Sequence, residues 1–152
     1  MNKKLVKTLL EKKDGYVYHA TKTSNVSKIK KKGILPLQTS NWKKGSGERY
    51  GKAGEIFVFE DPTDATRWAA NMDWEFFQET GSGKISVVKL KKTGKWSEDK
   101  NDPLSHLGAK GKWLKRKGFI SPEDIVSVTP ITLDITRRLS ADYPGDVSDV
   151  FE

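Results

Sequence analysis

The sequence predicts a single α+β domain, and three observations carry that expectation. Two short runs, residues 55–60 and 84–91, are rich in β-branched and aromatic side chains and bounded by turn formers, as strands are. Between them Asp61-Pro62 opens a segment in which Ala65, Trp68, Ala69, Met72 and Phe76 recur at helical spacing, so that face is core. The length of 152 residues suits one core, and 5 Trp, 4 Tyr and 6 Phe supply the side chains to fill it.

The elements follow in order. Leu5, Val6, Leu9 and Leu10 form the stripe of a short amphipathic helix that ends near Asp14-Gly15. Residues 16–20 read as a strand, Thr23-Ser24-Asn25 as a helix cap, and residues 26–32 as a helix with Val26 and Ile29 inward, closed by Gly33. Ile34-Leu35-Pro36-Leu37 leaves that helix extended. Residues 41–54 hold four glycines among Trp42, Lys43, Lys44, Arg49 and Tyr50, a long basic and aromatic loop of the kind that carries function.

In the next helix Asp61 caps, Pro62 takes the first helical position and Asp64 faces the positive helix end. Gly81-Ser82-Gly83 turns the chain into the strand at 84–91. Residues 93–112 show no period and read as a second long loop. Trp113-Leu114 begins another strand, residues 119–124 turn, and residues 125–133 form a final strand interrupted by Pro130. Beyond Thr136 the chain offers few apolar anchors and reads as a loosely held tail. The expected organisation is an N-terminal helix at 1–14, a body at 15–133 and an acidic tail at 134–152.

Composition narrows the chemistry. There is no cysteine, which removes disulfides, thiolate nucleophiles and Cys-ligated metal sites, and only His19 and His106 are available as imidazoles. No apolar run approaches the ~20 residues of a membrane span, and the basic start lacks the apolar stretch of a signal peptide, so a cytoplasmic protein is expected. The net charge is +8; residues 134–152 carry −3, leaving +11 on residues 1–133. Such a surface favours polyanions, nucleic acid or a dinucleotide as partner. There is no P-loop, no Gly-x-Gly-x-x-Gly between strand and helix, no Gly-x-Ser-x-Gly elbow, and no carboxylate pair singled out by context.

His19 is the residue that stands out, a polar side chain inside an aromatic strand. Tyr18-His19-Ala20-Thr21, followed by Asn25, Ile29 and Gly33-Ile34-Leu35-Pro36, resembles the first strand and helix of the ADP-ribosyltransferase family, a family of split-β-sheet domains that bind NAD. Residues 118–125, Gly-Phe-Ile-Ser-Pro-Glu-Asp-Ile, are similar to the family's approach to its last strand. The resemblance spans residues 16–133 and implies an ADP-ribosyltransferase-like split β-sheet with flanking helices.

It also implies roles. His19 would bond a ribose hydroxyl of NAD, the main chain at Ala20 would hold the nicotinamide amide, and Thr21 would support that turn. The family's stacking tyrosine would be replaced by Phe57 or Phe59. Its catalytic glutamate would be Glu123, with Asp99 and Asp102 as rivals, and in the family's branch that relies on Arg and His, Arg49 would touch phosphate. Read from the residues alone, the loop of Trp42, Lys43, Lys44, Arg49 and Tyr50 joins cations for phosphates to aromatic planes for bases, so Arg49 and Tyr50 are expected to contact the cofactor. The resemblance thus leads to an enzyme that cleaves NAD and transfers ADP-ribose to a macromolecular acceptor, protein or nucleic acid. Small size and high lysine content suit a phage or mobile-element effector. The other reading is a non-catalytic basic module on the same fold that grips nucleic acid or a nucleic-acid-handling protein. His106 reads as structural or exposed rather than catalytic.

Overall fold

A computed structural model describes residues 15–35, 55–72, 82–98, 109–141 and 146–152. Six antiparallel strands form one sheet in the order β4-β5-β2-β1-β3-β6. They are β1 (Tyr16–Lys22), β2 (Glu55–Phe59), β3 (Ile85–Lys91), β4 (Ser97–Glu98), β5 (Trp113–Lys117) and β6 (Ile125–Pro130). Among the described residues three helices pack on it: α1 (Val26–Lys32), α2 (Pro62–Met72) and α3 (Leu133–Ala141), with 3-10 turns at Thr23–Asn25, Pro122–Asp124 and Ser148–Phe151. The molecule is therefore α+β, as the strand and helix periods require. None of the described helices is long and apolar enough to cross a membrane. The expected helix at 1–14 and the expected loop at 41–54 lie outside the described residues, as do residues 73–76 of the stretch that ends at Phe76.

Alternation along the strands gives the sheet two apolar faces. Tyr18, Ala20, Phe59, Val87 and Trp113 meet Ala65, Trp68 and Ala69 of α2 and Ile135 and Leu139 of α3. Val17, Ile56, Val58, Val88, Leu90 and Leu114 meet Ile29 of α1 with Ile34 and Ile120. Burying both faces explains why the strands read as near-continuous apolar runs.

The ladders are uneven. β1 pairs β3 along its whole length, from Tyr16↔Lys91 to Lys22↔Ile85, and β2 pairs β5 from Glu55↔Lys117 to Phe59↔Trp113. Between β1 and β2 the register holds a single pair, Tyr18↔Phe59, and beyond it the two strands run on with no ladder between them.

Gly33 ends α1 at φ +80°, and its own amide bonds the Ile29 carbonyl at 2.8 Å. There the chain passes so close to Ile120 that an added Cβ would overlap the Ile120 carbonyl oxygen, while Ile34 and Ile120 exchange two backbone hydrogen bonds of 2.9 Å. Gly33→Ala should therefore lower stability by at least about 2 kcal/mol, read as a drop in the urea midpoint with an unchanged slope.

α2 starts as its sequence predicts, with the Thr63 amide donating to Asp61 Oδ1 at 2.8 Å. Asp64 does more than face the helix dipole. Its buried carboxylate accepts the Lys110 amide on both oxygens at 3.0 Å and the Gly111 amide at 3.1 Å, clamping the chain as it returns to β5. Burial pushes its pKa above the ordinary 3.8, while the two amides pull the other way. A raised folded pKa means that the contribution of Asp64 to stability is greatest below the unfolded value and is lost as pH rises through the folded value. Asp64→Asn should cost about 1–3 kcal/mol, because an amide nitrogen then meets a backbone donor. The penalty should shrink as pH rises above 3.8, measured by denaturant melts across pH.

Three expectations are corrected. The final strand stops at Pro130, and Leu133 opens α3 instead, with Ile135 and Leu139 buried at i, i+4. Within 93–112 the two-residue β4 pairs with β5, too short to leave a period in the sequence. The C-terminal segment is anchored: Val147 is fully buried and Phe151 is 4% exposed, with its ring edge-on to Tyr18 at 6.1 Å. Thr63 accepts the Val147 amide at 3.1 Å, Lys110 pairs with Asp146 at 3.0 Å and Arg138 with Asp149 at 2.6 Å. Polar contacts to distant elements supply what the apolar count lacked.

Candidate active site

β1 alternates, so His19 shares a face with Val17 and Thr21, the face that α1 covers, while Ala20 points into the opposite core. His19 is half-buried just past Tyr18, where the β1–β2 ladder ends. Its Nδ1 lies 2.8 Å from the Phe57 carbonyl oxygen across the opening between the strands. A carbonyl only accepts, so Nδ1 carries the proton and Nε2 presents a lone pair. Burial lowers the His19 pKa below the ordinary 6.5, with the Phe57 carbonyl opposing, which keeps the ring neutral at physiological pH. Among the described residues Nε2 has no hydrogen-bond partner.

Hydroxyls extend this polar line toward the end of β1. Thr21 is buried and sits opposite Ser86 of β3 in the ladder, on the face of His19. Thr23 Oγ1 donates to the Gly83 carbonyl at 2.6 Å, so the Ser86 hydroxyl at 2.8 Å must donate to Thr23. Asn25 Nδ2 approaches Thr21 Oγ1 at 3.5 Å, a long bond that leaves the Thr21 proton for another acceptor. A neutral imidazole acceptor and a hydroxyl proton on one strand face suit a ligand rich in hydroxyls and amides.

The remaining expected residues fall differently. Phe59 is 4% exposed, its ring 5.0 Å from Trp113 and 6.0 Å from Trp68. It is core and has no face to offer a ligand, which corrects the expectation that it stacks. Phe57 is half-buried and its side chain projects to the face opposite His19; its main-chain carbonyl is the group that meets the imidazole. Glu123 is exposed on the turn leading into β6, which β3 separates from β1, and its amide donates to Ser121 Oγ at 3.3 Å. The structure does not bring it to His19. Arg49, Tyr50, Trp42, Lys43, Lys44, Asp99, Asp102 and His106 lie outside the described residues.

Sequence reasoning missed Ser86 and the Phe57 carbonyl. Ser86 did leave a signal, a small polar residue between Ile85 and Val87 in an otherwise apolar strand; a main-chain carbonyl leaves none. Comparison with models of known families and with curated proteins finds no match for this chain.

Proposed function

We propose that the chain is an ADP-ribosyltransferase of the split-sheet type, acting in the cytoplasm on NAD and a macromolecular acceptor. The observation that carries this reading is the His19–Phe57 bond, which spans the opening between β1 and β2 and leaves Nε2 as an acceptor within it. In that opening a ribose hydroxyl of NAD donates to Nε2. Past Tyr18 no ladder partner takes the β2-facing edge of β1, so main-chain groups near Ala20 are available to a nicotinamide carboxamide, with Thr21 behind them.

In the reaction the bond between ribose C1′ and the nicotinamide nitrogen breaks, nicotinamide leaves with the electron pair, and an acceptor nucleophile takes the C1′ position and gives up its proton. The protein's contribution is orientation and a polar setting for the positive ribose. A small basic protein of this kind fits the role of a phage or mobile-element effector.

One observation favours a second reading, a binding module without turnover. Many described carboxylates are already engaged: Glu55 with Lys115, Glu60 with Lys92, Asp64 with two amides, Asp146 with Lys110 and Asp149 with Arg138. None of these is disposed to steady a ribose cation beside His19. The test is incubation with adenine-labelled NAD and a cell lysate, followed by protease and nuclease digestion. Label in a macromolecular fraction together with free nicotinamide is the expected result; intact NAD and no label would leave the binding module.

A further inference from the structure

The described cations differ in how they are held. Lys89, Lys92, Lys110, Lys115, Arg116 and Arg138 each have a partner within the fold. The lysines of α1 have no side-chain partner among the described residues, and neither do Lys22, Lys84, Lys91, Lys95, Lys112, Lys117 and Arg137; α1 is where four such cations fall within five residues. Lys28, Lys30, Lys31 and Lys32 make up four of its seven residues, all exposed, and none bonds or ion-pairs with another described residue. Ile29 fixes the helix by burying its side chain against the sheet. Lys28 then sits at i, i+3 and i, i+4 from Lys31 and Lys32, like charges that weaken an isolated helix. The helix dipole gives a reason for cations in the last turn. It gives none for a cluster that reaches back to Lys28 with no carboxylate in the helix.

A second observation lies at the end of this ledge. Immediately past Gly33, Leu35 is 46% exposed, and on the segment bridged to it Phe119 is 51% exposed, two of the three large apolar side chains open to solvent among the described residues. Phe119 is held out. Arg116 Nη2 donates to the Phe119 carbonyl at 2.8 Å, and Gly118 before it turns at φ +105°. A helix with four exposed lysines that have no partner among the described residues, beside an exposed aromatic ring, is what a flexible polyanion with stacking bases requires.

We propose that α1 and Phe119 form a docking ledge for single-stranded nucleic acid, the lysines on its phosphates and the Phe119 ring under a base. α1 continues from β1 through Asn25 and covers the sheet face that carries His19, so a strand on the ledge passes the proposed site. Nucleic acid is then the acceptor class, a step that rests on the transferase reading, whereas the docking itself does not.

The test is fluorescence anisotropy with fluorescein-labelled dT20 and U20 at increasing salt. Lys28, Lys30, Lys31 and Lys32 all changed to Gln, a helix former of similar strength, should reduce the slope of log affinity against log salt by about 3, at roughly 0.7 per phosphate neutralised. Phe119→Ala should weaken binding about tenfold with the slope unchanged. The variant with Lys91, Lys95, Lys112 and Arg137 changed to Gln loses the same charge elsewhere and should keep nearly the wild-type slope. Equal losses in both quadruple variants, wild-type binding by Phe119→Ala, or no binding of either oligonucleotide in 50 mM salt overturns the ledge. Because no NAD is present, binding that follows this pattern supports the ledge even if transfer fails. Label found only in protein, at a rate indifferent to the four lysines, overturns the nucleic-acid acceptor while leaving the transferase intact.

Discussion

Replacing His19 by alanine is expected to lower ADP-ribosyl transfer by roughly 10²-fold or more, the scale of a lost positioning contact at a reacting centre. The imidazole has two roles in the proposed reading: Nδ1 donates its proton to the Phe57 carbonyl, and Nε2 is left to accept from a ribose hydroxyl. Alanine removes both. The fold should survive, because one half-buried hydrogen bond contributes on the order of 1 kcal/mol. Transfer and NAD binding measured beside a thermal melt separate the two effects, and a folded variant with undiminished transfer removes His19 from the mechanism.

Acidity offers an independent check. Burial lowers the His19 pKa, so the neutral, accepting ring prevails from its folded value upward, and transfer should be level above pH 6.5 and decline only under acid conditions. Stability should follow the same sign. Below 6.5 the unfolded chain takes up a proton that the folded His19 resists, so the His19 contribution is lost as pH falls. His19→Ala should lack that component in melts between pH 7 and 5. A rate that rises on acidification would mean that the imidazolium is the working form.

Removing residues 146–152 should cost about 4 kcal/mol or more, although the segment is short and acidic. Phe151→Ala alone should account for about 3 kcal/mol, the lower range for truncating a buried aromatic, or about 10 °C in melting temperature for a chain of this size. Phe151 is set against Tyr18, Val147 fills the core beside it, and Lys89 Nζ donates to the Phe151 carbonyl at 3.3 Å. These contacts lie on the face of α2 and α3, opposite the face of His19. The truncated chain should therefore lose stability without a gain in transfer rate. A faster truncated enzyme with an unchanged melt would instead make the segment an inhibitor.

How much was legible follows from which signals a chain carries. β1, β2 and β3 declare themselves because both their faces are buried and their side chains are aromatic or β-branched. β5 is half hidden: only Trp113 and Leu114 are apolar, while Lys115 pairs with Glu55 and Arg116 braces the Thr93 and Phe119 carbonyls. α3 was obscured because Leu133 continues an apolar run across Pro130, and nothing local says that the strand has ended. At the site, His19 was visible as a polar residue among aromatics. The fate of Phe59 was not, since an aromatic strand residue serves a core or a ligand equally well until register decides, and Tyr18↔Phe59 places it among Trp68 and Trp113.

The seam between β1 and β2 also governs how the molecule deforms. β4-β5-β2 and β1-β3-β6 are two ribbons, and within the sheet β2 is joined to β1 by one residue pair and one imidazole, while Lys92–Glu60 and the Arg116 bond to the Thr93 carbonyl bridge the ribbons through side chains. Parting β1 from β2 breaks fewer strand-to-strand bonds than parting β1 from β3, β3 from β6 or β2 from β5. Slow breathing should concentrate there, with the amides of β1 facing β2 exchanging ahead of those facing β3. In the proposed reading a flat ring would enter the middle of the sheet there with both ribbons whole.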